Sequence, residues 1–291
     1  MFEIISHLKD LTPRYQTFIF GIEGVLHSGK KVFPEALEVL HYLQQGKKGV
    51  TLLTNITQRL DFTREQLAQK GIKPHFYQHL LTAGEEMYQH LSQKPDPWHS
   101  ALGSYCYFIG SIEDQTILYG LDIHSVRQLE EADFILVMGK DEWHNDLEEY
   151  YPTLQEAAKF SLKMICVNSN LYTYEEDEKH LCPGAIGRLY EKLGGEVYYH
   201  GKPYPSIYTH FLKEIGPVDK KSLLVIGDSL TIDIQGAISS GFNSLLTISS
   251  YTCDELGLPL DSSLDLNEIQ ISDALKKTSF QPTFLMDKLS W

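Results

Sequence analysis

The sequence predicts an α/β fold: a doubly wound parallel sheet with a second α/β unit inserted into it. Three observations carry the prediction. Short apolar runs alternate with helical patterns along the chain. Those runs are apolar on both faces, the pattern of strands buried between two layers of helix. The residues suited to chemistry fall where such runs end, the edge at which open α/β sheets bind ligands.

The first run, YQTFIFGI (15–22), leads into FPEALEVLHYLQQG, where Ala36, Leu37, Leu40 and Leu43 recur at helical spacing. Pro34 suits a first helical turn, where its missing N–H costs nothing, and Gly46 suits a helix end. GVTLLTN (49–55), the helical REQLAQKGI and the short strand HLLT (79–82) follow. Later, SLLVIGD (222–228) precedes the helical TIDIQGAISSGF, and NSLLTIS (243–249) is read as the close of the series. Between these halves lie further strand candidates, SYCYFIGS (104–111), ADFILVMG (132–139) and KMICVNS (163–169), separated by acidic helical stretches. The expected division is a discontinuous core, 1–82 and 183–291, with an α/β cap at 83–182. A unit inserted there would lie as a lid over the carboxyl ends of the strands.

Composition narrows the function. The 291 residues are 42% hydrophobic and 22% charged, an ordinary globular balance. Net charge is −14 with no basic run, which excludes nucleic acid as the expected partner. An acidic chain that handles phosphate must concentrate positive potential locally, through a metal, a lysine or a helix N-terminus. The stretch MFEIISHLKDLTPRY has no long apolar segment, and nowhere do about 18 apolar residues run together. A cytoplasmic location without membrane contact is therefore expected. The four cysteines lack CxxC spacing, and reduced core thiols are expected at Cys106 and Cys166. His75 and His79, four apart, fit a loop entering a strand better than a metal site.

Chemistry concentrates at three strand ends, the first of them the Gly21–Gly24 turn, and at one loop. TLLTN ends in Thr54 and Asn55; LLVIGDSLTIDIQGA places Asp228 at a strand end and Asp233 five residues on; HGKPYPSIY holds Lys202 between Gly201 and Pro203. Thr54 and Asn55 can donate hydrogen bonds to phosphoryl oxygens, and Lys202 brings a compact positive charge to the same oxygens. Asp228 and Asp233 can hold Mg²⁺, which takes one or two carboxylates and keeps several waters. Each residue alone also reads as a cap, turn or loop. Their order along the chain, all at one sheet edge, points to a common anionic ligand.

FIFGIEGVL, LLTN, GKP and IGDSLTIDIQGA together resemble the motifs of the haloacid dehalogenase superfamily, over nearly the whole chain. The insert between TLLTN and HGKP resembles the class IIA branch, which includes p-nitrophenyl-phosphatase-like and phosphoglycolate-phosphatase-like enzymes. The resemblance implies a Rossmann-like core, Mg²⁺ dependence, an inserted α/β cap and dimerisation through that cap. In such relatives the first-motif Asp forms an aspartyl-phosphate, and the residue two later serves as acid/base. Thr54, Lys202, Asp228 and Asp233 match the motif positions, and Asn55 occupies a site where the branch tolerates Asn. The decisive positions depart: Gly21 stands where the nucleophile belongs, and Glu23 where the second Asp belongs. CVNSN (166–170) resembles a cap specificity stretch that tends to read Asn-Pro-Asp, so Asn168, Asn170 and the Tyr172–Tyr174 stretch are candidate specificity residues.

Glycine cannot form a covalent intermediate, and deleting such a nucleophile costs on the order of a millionfold in turnover. The loss also removes one Mg²⁺ ligand, leaving Asp228, Asp233 and Glu23. Yet two like charges about 4 Å apart repel by roughly 4 kcal/mol at an effective dielectric of 20, and Gly21 relieves that repulsion against a phosphate. The expectation is a protein that binds a phosphorylated small molecule, with Mg²⁺ weakened by Gly21, and with hydrolysis impaired or lost. Two alternatives stand beside it. One is a working phosphohydrolase in which Glu23 or a metal-bound water attacks, with Glu23 and Lys202 as catalytic groups. The other is a non-catalytic scaffold for a protein partner.

Overall fold

The computed structural model describes residues 2–144, 146–175 and 178–291. In chain order, the strands before the insert are β1 (Glu3–Ile4), β2 (Thr17–Phe20), β3 (His27–Ser28), β4 (Lys31–Val32), β5 (Gly49–Thr54) and β6 (His79–Thr82). The insert carries β7 (Tyr105–Ile109), β8 (His124–Val126), β9 (Phe134–Val137), β10 (Lys163–Val167), β11 (Tyr172–Glu175), β12 (Glu178–Leu181) and β13 (Glu196–His200). The chain then returns through β14 (Leu223–Gly227), β15 (Asn243–Thr247) and β16 (Phe284–Met286).

Seven of these form a parallel sheet in the order β1-β16-β15-β14-β2-β5-β6, with β2 beside β14 at its centre. Alternation along the central strands feeds two cores. Phe18, Phe20, Leu224 and Ile226 pack with helix Pro34–Gln45 through Val39, Leu40 and Leu43. Ile19, Leu223 and Val225 face the other way, onto Ile207, Tyr208 and Phe211 of helix Pro205–Ile215. Burying each such side chain stabilises by about 1.5–3 kcal/mol. Strands covered on both faces read as continuous apolar runs, which is why the sequence revealed them. Pro34 opens and Gly46 ends the first long helix, as their chemistry requires.

A second parallel sheet, β13-β10-β9-β7-β8, forms the cap. Helix Ala83–Gln93 packs onto it through Met87 and Leu91 against Cys106, Phe134 and Leu136. The opposite face receives Leu154 from helix Tyr151–Lys159 and Ile186 and Tyr190 from helix Pro183–Lys192.

Two expectations are corrected. The cap does not end at residue 182: Glu196–His200 pairs with Lys163–Val167, and helix Pro183–Lys192 buries Ile186 and Tyr190 in the cap. The crossing back to the core sheet therefore lies after His200. EVYYH reads as a lead-in to the GKP motif, and only strand pairing reveals that it belongs to the cap. Nor does NSLLTIS close the core sheet, because β16 and β1 extend it beyond β15. These strands of three and two residues are too short to show a period.

The four cysteines are free and buried. Among the described residues no helix is long and apolar enough to cross a membrane.

Candidate functional site

The carboxyl ends of β2, β5 and β14 open into a cavity of about 870 Å³ between the two sheets. Thr54, Asn55, Lys202, Asp228 and Asp233 line it from the core, and Asn168, Asn170 and Tyr174 from the cap. The structure thus gathers the four matched residues, and Asn55 with them, at one edge. Gly21, at the end of β2, lies beside them. A methyl group built on it would stand 3.3 Å from Asp233 Oδ1, 3.5 Å from the Ile226 carbonyl oxygen and 3.6 Å from Lys202 Nζ. A side chain at position 21 would point at the buried lysine.

Lys202 is held from several directions. Its Nζ donates to Asp233 Oδ1 at 2.6 Å, a pair that is nearly sealed from solvent. Its N–H donates to Asn55 Oδ1 at 2.7 Å, and its carbonyl accepts from Asn55 Nδ2 at 2.9 Å and from Ser169 Oγ. Gly201, with φ of +94°, makes this approach feasible, since a Cβ there would fall 2.4 Å from Asn55 Oδ1.

Asp228 and Asp233 differ in surroundings. Asp233 accepts at Oδ2 from the N–H groups of Asp228 and Ser229, both at 3.2 Å, so its second oxygen ties down the loop. Asp228 accepts from Ser249 Oγ at 2.6 Å. Burial, reinforced by the neighbouring Asp233 carboxylate, pushes Asp228 up to about 8. Gly24, with φ of +75°, lies against it; a Cβ there would come within 1.8 Å of Asp228 Oδ2. Glu255 braces the same loop, accepting from Ser229 Oγ, Leu230 N and Thr231 N at 2.9, 2.6 and 3.1 Å.

Several expectations change at this level of detail. Asn55 is not aimed at an anion, because its amide hydrogens are committed to Asn170 Oδ1, at 2.8 Å, and to the Lys202 carbonyl. It is a positioning residue that joins core to cap. Thr54 Oγ1 accepts from Ile56 N at 3.2 Å, which leaves its proton to donate into the cavity. Glu23 is tied to its own hairpin: Oε1 accepts from Gly29 N at 2.8 Å and Oε2 lies 3.0 Å from His27 Nδ1. The ligand atoms of Glu23, Asp228 and Asp233 do not close into a trio. Among the described residues the group that does is Glu86, His90 and His200, all within 4.8 Å of one another.

Asn168 and Asn170 both line the cavity. Asn168, at φ of +100°, accepts from Asn170 N at 2.8 Å, and Asn170 in turn meets Asn55. Sequence reasoning missed a second clasp. In the β11–β12 hairpin, Tyr172 donates to Asp254 at 2.5 Å and stacks on Tyr251 at 5.1 Å, while Lys179 pairs with Asp254 at 3.0 Å. It also missed Ser249, which follows a strand on the same edge and could have been found by that placement. Glu255 carries no such signal.

Comparison with known proteins agrees with this architecture. A family profile described as haloacid dehalogenase-like hydrolase matches residues 18–151, and a second, described as a haloacid dehalogenase hydrolase-like family, matches 199–290. The fold superimposes on a haloacid dehalogenase-like hydrolase from Brucella suis with a TM-score of 0.82 and 25% identity, covering 98% of this chain and 100% of that one. A 4-nitrophenylphosphatase from Thermotoga maritima superimposes at 0.67 with 18% identity, covering 94% and 95%. The D-glycerol 3-phosphate phosphatase of Mycobacterium tuberculosis is 21% identical over 83% of this chain and 65% of its own length. The chain spans 55% and 65% of the length of the two curated relatives it matches. Two consecutive family matches, two parallel sheets and a cavity between them lead to one conclusion: the chain belongs to the haloacid dehalogenase-like hydrolases, with the fold of their class IIA members.

Proposed function

We propose that the cavity binds a phosphorylated small molecule together with Mg²⁺, and that hydrolysis through an aspartyl-phosphate is lost. The observation that carries this reading is the place of Gly21, where a Cβ would pack against Asp233 Oδ1 at 3.3 Å and Lys202 Nζ at 3.6 Å. Thr54, Lys202, Asp228 and Asp233 line the cavity beside that position, and glycine offers no attacking atom.

The balance of charge supports a cation. Five carboxylates, Glu23, Glu35, Asp228, Asp233 and Asp261, line the cavity against three lysines, Lys31, Lys202 and Lys288. Lys202 is already paired with Asp233. A phosphate dianion entering such a site needs further positive charge. The donor set fits a hard cation held mainly by one carboxylate, since Mg²⁺ retains much of its water and takes ligand phosphate oxygens. Asp228 would hold it, and the raised proton affinity of that carboxyl marks a charge still in need of compensation. The metal would supply the positive potential that this acidic chain lacks elsewhere. Lys202 would meet the remaining phosphoryl oxygens, with the Thr54 hydroxyl donating beside it. The reading in which Glu23 attacks has less support, because both of its oxygens are turned to Gly29 and His27.

The test pairs the natural protein with Gly21→Asp against phosphate esters, including glycerol 3-phosphate and 4-nitrophenyl phosphate, with Mg²⁺ present. The natural protein should bind a member of the panel by calorimetry yet turn it over on the order of a millionfold more slowly than an intact relative. Gly21→Asp should gain phosphate release that a further Lys202→Ala change abolishes. The reading fails if neither protein binds phosphate or any ester more tightly than millimolar. Fast turnover by the natural protein, lost in Glu23→Gln, would transfer the chemistry to Glu23.

A further inference from the structure

The chain crosses between the two sheets twice, and one cluster of side chains touches both crossings. Glu86 and His90 lie four residues apart on one face of helix Ala83–Gln93, the first element after β6. His200 is the last residue of β13, immediately before the chain returns to the core. Glu86 Oε2 accepts from Gly201 N at 2.7 Å, so the crossings already meet here. We propose that Glu86, His90 and His200 form a site for a zinc-class divalent cation, which clasps the two crossings together.

The hydrogen bonds around the cluster set the tautomers a metal needs. His90 Nδ1 lies 2.8 Å from the Glu86 carbonyl and donates to it, leaving the Nε2 lone pair free. Asp96 Oδ2, 2.8 Å from His99 Nδ1, accepts the N–H of that ring, which makes His99 Nε2 an acceptor. His200 Nε2 lies 3.4 Å from His99 Nε2 and donates to it. The lone pair of His200 therefore sits on Nδ1, facing Glu86 Oε2 at 3.6 Å. Histidines that bind metals are oriented in this way, with the other ring nitrogen given to a fixed acceptor.

What remains is a set of acceptors turned on one another. Glu86 is 3% exposed and His200 0%, yet Glu86 Oε1 and His200 Nδ1 have no hydrogen-bond partner. Leaving such groups buried and unpaired is unfavourable, most of all for a carboxylate. A positive ion among them removes that cost. Two imidazoles and a carboxylate select zinc, cobalt or nickel over Mg²⁺, which prefers oxygen alone. The present spread of up to 4.8 Å would contract toward the ~3.4 Å separation that bonds of ~2.0–2.1 Å to a tetrahedral zinc impose. Half-buried His90 gives the ion a way in, and three protein ligands leave one position for water. This site is independent of the phosphate reading, although its metal would set the stiffness of the hinge two residues before Lys202.

The test uses the full chain, stripped with a chelator and titrated with Zn²⁺ by calorimetry and with Co²⁺ by visible absorption. One equivalent should bind, with the d–d bands of a tetrahedral cobalt site, and zinc should raise the melting temperature. His90→Ala, at a half-buried helix position beside the His99 and His200 rings, should weaken zinc binding by about a hundredfold or more and abolish the thermal shift. Glu86→Gln should weaken it as well. Zinc binding no tighter than millimolar, or undiminished in a folded His90→Ala protein, would overturn the proposal and leave a proton shared by His200 and Glu86.

Discussion

Asp228 and Asp233 stand five residues apart in the sequence, and their surroundings divide the work between them. Asp233 spends one oxygen on Lys202 and the other on two backbone N–H groups. Asp228, braced by Ser249, keeps a carboxyl that burial and Asp233 push up to about 8. Between its ordinary value and that raised one, the folded protein holds a proton that the unfolded chain has released. Metal-free protein should therefore lose stability at this position as pH rises through that window. Asp228→Asn should flatten the loss, which urea denaturation in chelator at about pH 5 and about pH 9 would reveal. Equal losses in both proteins would remove Asp228 from the account. The identities of these residues were legible as motif positions. The partners of Asn55 and Glu23 were not legible, because residue type shows what a side chain can bond and not which neighbour reaches it first.

Among the elements, the short connections do the positioning. The Gly24 turn, the Gly201–Pro203 loop and the loop after Asp228 each bring backbone closer to a side chain than a Cβ would permit or need a remote acid to hold them. The β11–β12 hairpin reaches from the cap to helix Ser250–Glu255, joined by Tyr172, Lys179 and the stack on Tyr251. Tyr172→Phe removes one charge-assisted hydrogen bond, worth about 1.5–3 kcal/mol. Hydrogen exchange in the hairpin should quicken while the amides of β14 keep their protection; unchanged exchange in the hairpin would show that the stack alone closes the cap. Nothing in the sequence marks this pairing, since partners 82 residues apart share no local pattern.

At the scale of the whole molecule, two parallel sheets each bury their own core, and the thiols report on both. Burial pushes Cys106 and Cys182 up to about 12 and raises Cys166 and Cys253 as well. At about pH 8 a thiol near 12 is thiolate to roughly one part in ten thousand, and labelling proceeds through the thiolate. A disulfide-exchange reagent should therefore leave all four cysteines nearly untouched in the native protein and modify all four in denaturant. Rapid labelling of Cys166 under native conditions would mean that the cap opens far more readily than its core packing implies.

Local pattern was enough to determine the alternation of strand and helix, the long helix that Pro34 opens and Gly46 ends, and the strand ends that meet at one edge. Such features are written in neighbouring residues, through periodicity, propensity and spacing. Tertiary structure alone decided that Glu196–His200 completes the cap, that Asn55 brackets the Lys202 backbone, and that Glu86, His90 and His200 converge at the hinge. Each of these depends on groups far apart along the chain meeting in space, and the winning partner is chosen by packing and by competition for hydrogen bonds.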